Sequence, residues 1–131
     1  MLIIDDDIRI ARAIRRSLGA LHDVEIVCSA TDAIELLERD DEFDLILCDL
    51  VMGETSGAAV HDWIAKERPA LFPKLVLMSG SAFTPETHDL IARTARPLLT
   101  KPFKLSEVLE FATVGAATPE PGRRQTRPLS V

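Results

Sequence analysis

Three consecutive aspartates, Asp5, Asp6 and Asp7, follow directly on the apolar run Leu2-Ile3-Ile4, and a further aspartate, Asp49, closes the mostly apolar run Phe43 to Cys48. An apolar run that stops abruptly on acids suits a buried parallel strand whose carboxyl end opens onto a site. Carboxylates gathered in one small volume repel, and each is pushed toward its neutral form unless a cation intervenes. A hard divalent cation does this best, and an incomplete protein shell with room for waters and a phosphate suits Mg²⁺. Two more polar residues close apolar runs of their own: Ser79 after Lys74 to Met78, and Lys101 shortly after Leu98-Leu99. A carboxylate can attack a phosphoryl group when metal and ammonium meet the charge on its oxygens. The protein then contributes positioning and electrostatics, which few residues from several strand ends can supply. Singly, each feature is ordinary: three aspartates make a helix cap, Ser79-Gly80 a turn, Lys101-Pro102 a helix entry.

The elements that must position these residues alternate along the chain. After the strand at 2–4, Ile8, Ile10, Ala11, Ile14 and Leu18 recur at helical spacing between arginines, with Gly19 placed to stop the helix. A β-branched strand at 24–28 and a capped amphipathic helix over 31–37 follow. The strand at 43–49 leads through a loop at 50–56 into a helix containing Trp63 and Ile64, which Pro69 ends. The strand at 74–78 precedes a helix capped by Thr84 with Pro85 at its first position. A weak strand at 98–99 and a helix over about 105–113 complete the set. Five strands alternating with five helices predict an α/β fold: a flavodoxin-like, doubly wound, five-stranded parallel sheet of order 2-1-3-4-5. Ligands in such sheets sit beyond the carboxyl ends of the strands, where the acids are.

The 131 residues, 47% hydrophobic and 27% charged, suit one soluble domain with one core. Residues 1–114 are expected to form it, with 115–131 a disordered, proline-containing tail. No apolar run approaches the roughly 20 residues of a membrane span, and the acidic amino terminus is no secretory signal, so a cytoplasmic location is expected. The net charge of −6 disfavours direct nucleic-acid binding. Cys28 and Cys48 fall on strands separated by a third, about 9.6 Å apart, beyond the roughly 7 Å that a disulfide tolerates; both are expected to be reduced core thiols. His22, His61 and His88 lie on no ligand spacing and are expected at the surface. Trp63 and Phe111 are read as core, or alternatively as a homodimer face.

An acid pair after strand one, an aspartate ending strand three, Ser79 after strand four and Lys101-Pro102 after strand five, in that order, resemble the receiver domains of two-component response regulators, over about residues 1 to 114. Gly57, after the Asp49 loop, also matches. The resemblance implies that Asp49 is a phosphoacceptor, taking its phosphoryl group from a histidine kinase or histidine phosphotransfer protein. It implies that Asp6 and Asp49 bind Mg²⁺ directly, the Val51 carbonyl completes the protein shell, and Asp5 acts through water. Ser79 and Lys101 would contact the phosphoryl group, the Lys101-Pro102 bond would be cis, and the domain would be a switch rather than an enzyme in the ordinary sense. The Ser79–Glu86 and Leu99–Phe103 stretches resemble receivers fused to histidine kinases most, so either a carboxyl-terminal receiver, excised from such a kinase, or a stand-alone one is expected.

Departures from the family pattern are Gly53 for proline, Thr94 for glycine, Arg96 and Pro97 for acidic residues, and Leu98 for a switch aromatic. Gly53 implies a less rigid loop beside Asp49, and the others imply altered output through the fourth helix and fifth strand. Competing readings are a haloacid-dehalogenase-like phosphatase, disfavoured because Val51 stands where a second acid is needed, and a non-phosphorylated pseudo-receiver, disfavoured by the retained Asp5, Asp6, Asp49, Ser79 and Lys101. A nucleotide-binding enzyme is disfavoured because no glycine-rich phosphate loop follows strand one.

Overall fold

The structure, a computed structural model, describes residues 1–18, 23–52, 55–80, 85–114 and 129–130. In chain order the elements are β1 (Leu2–Ile4), α1 (Ile8–Leu18), β2 (Glu25–Val27), α2 (Ala30–Arg39), β3 (Ile46–Asp49), α3 (Gly57–Glu67), β4 (Leu75–Ser79), α4 (Pro85–Arg93), β5 (Leu98–Thr100), α5 (Leu105–Val114) and β6 (Leu129–Ser130). A two-residue antiparallel ribbon, Val51–Met52 with Thr55–Ser56, lies in the segment expected to be loop, and a 3₁₀ turn spans Phe72–Lys74.

The strands form one parallel sheet in the order β2-β1-β3-β4-β5-β6. Its first five members follow the expected order, and β6, a short addition beside β5, extends it. The rest of the expected tail, with Gly19, His22, Gly53, Ser81 and Thr84, lies outside the described residues.

Side-chain alternation explains why these strands read as continuous apolar runs, because both sheet faces are covered. Leu2, Ile4, Ile46, Cys48, Leu75 and Leu77 face one core with Ala33 and Leu37 of α2 and Val60 and Ile64 of α3. Ile3, Leu47, Val76, Met78 and Leu99 face the other with Ala11, Ile14 and Leu18 of α1 and Val108 of α5. β3 is shorter than expected: Phe43 and Leu45 are buried, yet the strand begins only at Ile46. The second helix begins at Ala30 rather than Thr31, because the Ser29 side chain accepts a bond from the Asp32 N–H at 3.1 Å and caps it.

α3 is set against the sheet with little clearance. Ser56 caps it through the Ala58 N–H at 3.0 Å, and the Gly57 N–H donates to the Leu50 carbonyl at 3.0 Å. A Cβ on Gly57 would collide with the Asp49 carbonyl oxygen and come within 2.8 Å of the Leu50 Cα, both backbone atoms that no rotamer change moves. Gly57→Ala is therefore expected to cost roughly 3 kcal/mol by overpacking, read as a lower urea midpoint. An unchanged midpoint would mean that α3 can slide away from the strand freely.

Candidate phosphoryl-acceptor site

The carboxyl ends of β1 and β3 adjoin at the point where chain order along the sheet reverses, the crevice where doubly wound sheets hold ligands, and a side chain from the end of β5 reaches it past β4. Asp5 follows the last residue of β1, Asp49 ends β3, and Lys101 follows β5. Ligand oxygens of Asp5, Asp6 and Asp49 lie within 4.8 Å of one another. Lys101 reaches across from the far side, its Nζ donating to Asp5 Oδ2 at 2.9 Å and to Asp49 Oδ2 at 3.1 Å. The Lys101-Pro102 peptide is cis.

Each acid has a distinct setting. Asp5 is fully buried, and its Oδ1 accepts from the Asp7 N–H at 2.9 Å, so one carboxylate joins the lysine to the start of α1. Asp6 is exposed and free to turn toward an ion. Asp7 stands outside the cluster as a helix cap, its Oδ1 accepting from the Arg9 N–H at 3.1 Å while the Arg9 side chain holds its carboxyl below the usual range. Asp49 is 5% exposed, and its Oδ1 accepts from the Val51 N–H at 3.2 Å.

Burial pushes the Asp49 carboxyl up to about 6; Lys101 opposes the shift and the Asp5 charge adds to it. Burial works against the Lys101 ammonium, but its bonds to Asp5 and its attraction to Asp49 prevail, and its pKa is raised. The Cys48 thiol, beneath the site, is pushed well up by burial and stays protonated. Both cysteines are free as expected, but Cys28 is exposed rather than core, because it falls just beyond the end of β2.

Ser79 ends β4, pairs in register with Thr100, and its carbonyl accepts the Lys101 N–H at 2.7 Å, which ties the serine and lysine backbones together. Its buried hydroxyl donates to the Gly80 carbonyl at 3.2 Å rather than to any of the acids. Val51 is half-buried beside Asp49. An all-oxygen set of three carboxylates fits a hard divalent cation.

The raised carboxyl fixes the sign of two pH effects. Without a cation, Asp49 favours its neutral form in the fold, so its contribution to stability is full below the ordinary carboxylate range and is lost as pH rises through about 6. Because a metal ligand must be deprotonated, Mg²⁺ affinity is expected to climb as pH rises to about 6 and to level off above it. Calorimetric titration checks this; an affinity constant across that interval would mean that Asp49 is ionised throughout.

His61 is not a surface residue. It is 4% exposed, because it shares the buried stripe Gly57, Val60, His61 and Ile64 on α3. His88 is exposed, as expected. Trp63 is partly buried against the core with the Arg68 guanidinium 5.3 Å from its ring centre, and Phe111 packs partly buried on the opposite face.

Comparison with known proteins agrees with this architecture. Residues 1–113 match the family described as "Response regulator receiver domain". The chain is 27% identical over 111 residues to the chemotaxis protein CheY of Listeria monocytogenes, covering 83% of this chain and 92% of that one. It is 35% identical over 120 residues to the transcriptional regulatory protein ZraR of Salmonella typhimurium, covering 86% of this chain but 26% of that one. Among solved structures, a CheY-like receiver domain protein of Methanospirillum hungatei superposes with a TM-score of 0.74 at 24% identity, covering 86% of this chain and 89% of that one.

Proposed function

This chain belongs to the response regulator receiver family, and from that membership we propose that it takes a phosphoryl group onto Asp49 from a histidine kinase or histidine phosphotransfer protein and changes conformation in response. The observation that carries the reading is the meeting of Asp5, Asp6, Asp49 and Lys101 at one end of the sheet.

The chemistry follows from the residues. The ionised Asp49 carboxylate attacks phosphorus; an O–P bond forms as the P–N bond to the donor imidazole breaks, and the electron pair remains on the departing nitrogen. Lys101 faces the oxygens of the transferring group and limits the charge that accumulates there. Ser79, by turning its hydroxyl from the Gly80 carbonyl, hydrogen-bonds the group once transferred. Asp6 and Asp49, with the Val51 carbonyl and with Asp5 through water, would hold Mg²⁺, which supplies a hard positive charge for the phosphoryl oxygens.

A partner has an approach to this site. An apolar cavity of about 530 Å³ lined by Ile10, Ile14, Phe103 and Leu105 runs up to Lys101 and Gly80. The exposed arginines Arg12, Arg15 and Arg16 of α1 stand on the same helix. No described helix is long and apolar enough to cross a membrane, and the proposed setting is cytoplasmic.

Incubation with acetyl phosphate tests the reading. One labile phosphoryl group per chain is expected with Mg²⁺ and none with chelator; continuous release of phosphate at many turnovers would instead favour the phosphatase.

A further inference from the structure

The departures at Thr94 and Arg96 converge on the unexpectedly buried His61. His61 Nε2 and the Thr94 oxygen are 2.8 Å apart, although 33 residues separate them in sequence. The ring's Nδ1 lies 2.8 Å from Asp62 Oδ1. An ionised carboxylate only accepts, so Nδ1 carries a proton, and in the neutral ring Nε2 accepts from the Thr94 hydroxyl. Partial burial works against the Asp62 anion, but the His61 hydrogen bond and the Arg93 guanidinium, 3.2 Å away, outweigh it and hold the carboxyl below its usual range.

The Thr94 oxygen also accepts the Arg96 N–H at 3.1 Å, while the Thr94 N–H donates to the Leu90 carbonyl at 2.9 Å and closes the end of α4. Arg96 is 3% exposed; its guanidinium donates to the Leu75 carbonyl at 3.0 Å and the Pro73 carbonyl at 2.7 Å, at the entry of β4. Phe72 fills the space between, with the His61 ring edge-on at 5.1 Å and the Arg96 guanidinium over its face at 5.6 Å.

The Thr94 hydroxyl therefore ties α3 to the end of α4, and Arg96, whose N–H it accepts, ties that end to the entry of β4. The α3 end of this chain of contacts lies against the phosphoacceptor strand, since Gly57, one helical turn before His61, donates to Leu50 and leaves no clearance over the Asp49 carbonyl. A movement of the Asp49 loop that displaces α3 must either stretch the His61–Thr94 bond or carry the end of α4 with it. A buried polar group left without a partner costs more than the bond itself gives, so the second outcome is favoured.

We propose that the His61–Thr94–Arg96 junction is a conformational coupler that makes the end of α4 follow α3, so that the state of Asp49 is communicated to α4 by a partly buried hydrogen bond. The inference rests on the reading of Asp49 as phosphoacceptor.

The test uses beryllium fluoride with Mg²⁺, an acyl-phosphate mimic, on the full chain, with amide hydrogen exchange over α4 as the readout and fluoride NMR reporting binding separately. Loading wild type is expected to change exchange at the end of α4 by about five-fold, the lower end of ordinary coupling energies. Thr94→Ser, which keeps the hydroxyl, should respond likewise, and Thr94→Val should bind the mimic with α4 unmoved. If Thr94→Val does not fold, Thr94→Ala against Thr94→Ser makes the same comparison of hydroxyl absent and present. A wild-type response from a loaded hydroxyl-less variant, or no α4 response in loaded wild type, overturns the coupler alone. Failure of wild type to bind the mimic overturns the Asp49 reading, and the coupler falls with it.

Discussion

Asp49→Asn is expected to abolish phosphoryl uptake from acetyl phosphate while leaving the fold intact. Asparagine has nearly the same shape, but its amide is a poor nucleophile and cannot form the acyl phosphate. The change also removes a buried charge that the fold disfavours, since the Asp49 carboxyl is pushed up to about 6 by burial and by Asp5. Its Oδ1 contact to the Val51 N–H at 3.2 Å can be kept by the amide oxygen, and the amide NH₂ would face Lys101 where the carboxylate accepted from it. Relief of the carboxylate crowding and loss of the ion pair therefore oppose each other, and the urea midpoint should move little. Intact-mass measurement after incubation with acetyl phosphate and Mg²⁺ checks the chemistry; phosphorylated Asp49→Asn protein at the wild-type level would remove Asp49 from its role.

The second large effect is expected at Lys101. Its ammonium bonds to a fully buried Asp5 and a nearly buried Asp49 at 2.9 and 3.1 Å and is itself only 17% exposed. In Lys101→Ala the two carboxylates lose the cation between them, which is expected to cost roughly 3 kcal/mol at neutral pH, the usual penalty for stranding buried charge. Mg²⁺ should recover much of this loss, because the acids proposed to hold it are untouched, and metal affinity should change little. Phosphoryl uptake should fall about a hundred-fold, the scale on which one preorganised charge stabilises a transition state. Urea unfolding with and without Mg²⁺, beside labelling rates, separates the two consequences. Wild-type labelling by Lys101→Ala would show that the ammonium does not face the transferring oxygens.

The site was legible in the sequence where a local pattern reports a global position. An apolar run ending on an acid marks both the strand and the end of it that faces the crevice, so Asp5, Asp6 and Asp49 could be gathered from two short stretches and the strand order. What local pattern could not show was the division of labour among Asp5, Asp6 and Asp7, which depends on partners far along the chain. Burial of Asp5 under Lys101, and the turn of the Ser79 hydroxyl toward Gly80, are of that kind.

His61 is different, because its signal was present. Positions 57, 60, 61 and 64 make a complete helical stripe, and a histidine inside such a stripe is buried unless the helix itself is exposed there. Metal-ligand spacing, by contrast, carries no information about that burial. Arg96 carried no comparable signal: its burial depends on the carbonyls of Pro73 and Leu75, which only the assembled β4 entry brings within reach. The displaced start of α2 follows from Ser29, whose spacing to Asp32 is that of an N-cap and its third helical residue.

Asp49 itself, and no neighbouring aspartate, is expected to become the acyl phosphate. After incubation with a small phosphodonor and Mg²⁺, reduction with borodeuteride converts a phosphorylated aspartate to deuterated homoserine, which peptide fragmentation locates by residue. Homoserine at position 49, dependent on Mg²⁺, is the predicted result; label at Asp5, Asp6 or Asp7 with position 49 unmodified would contradict it.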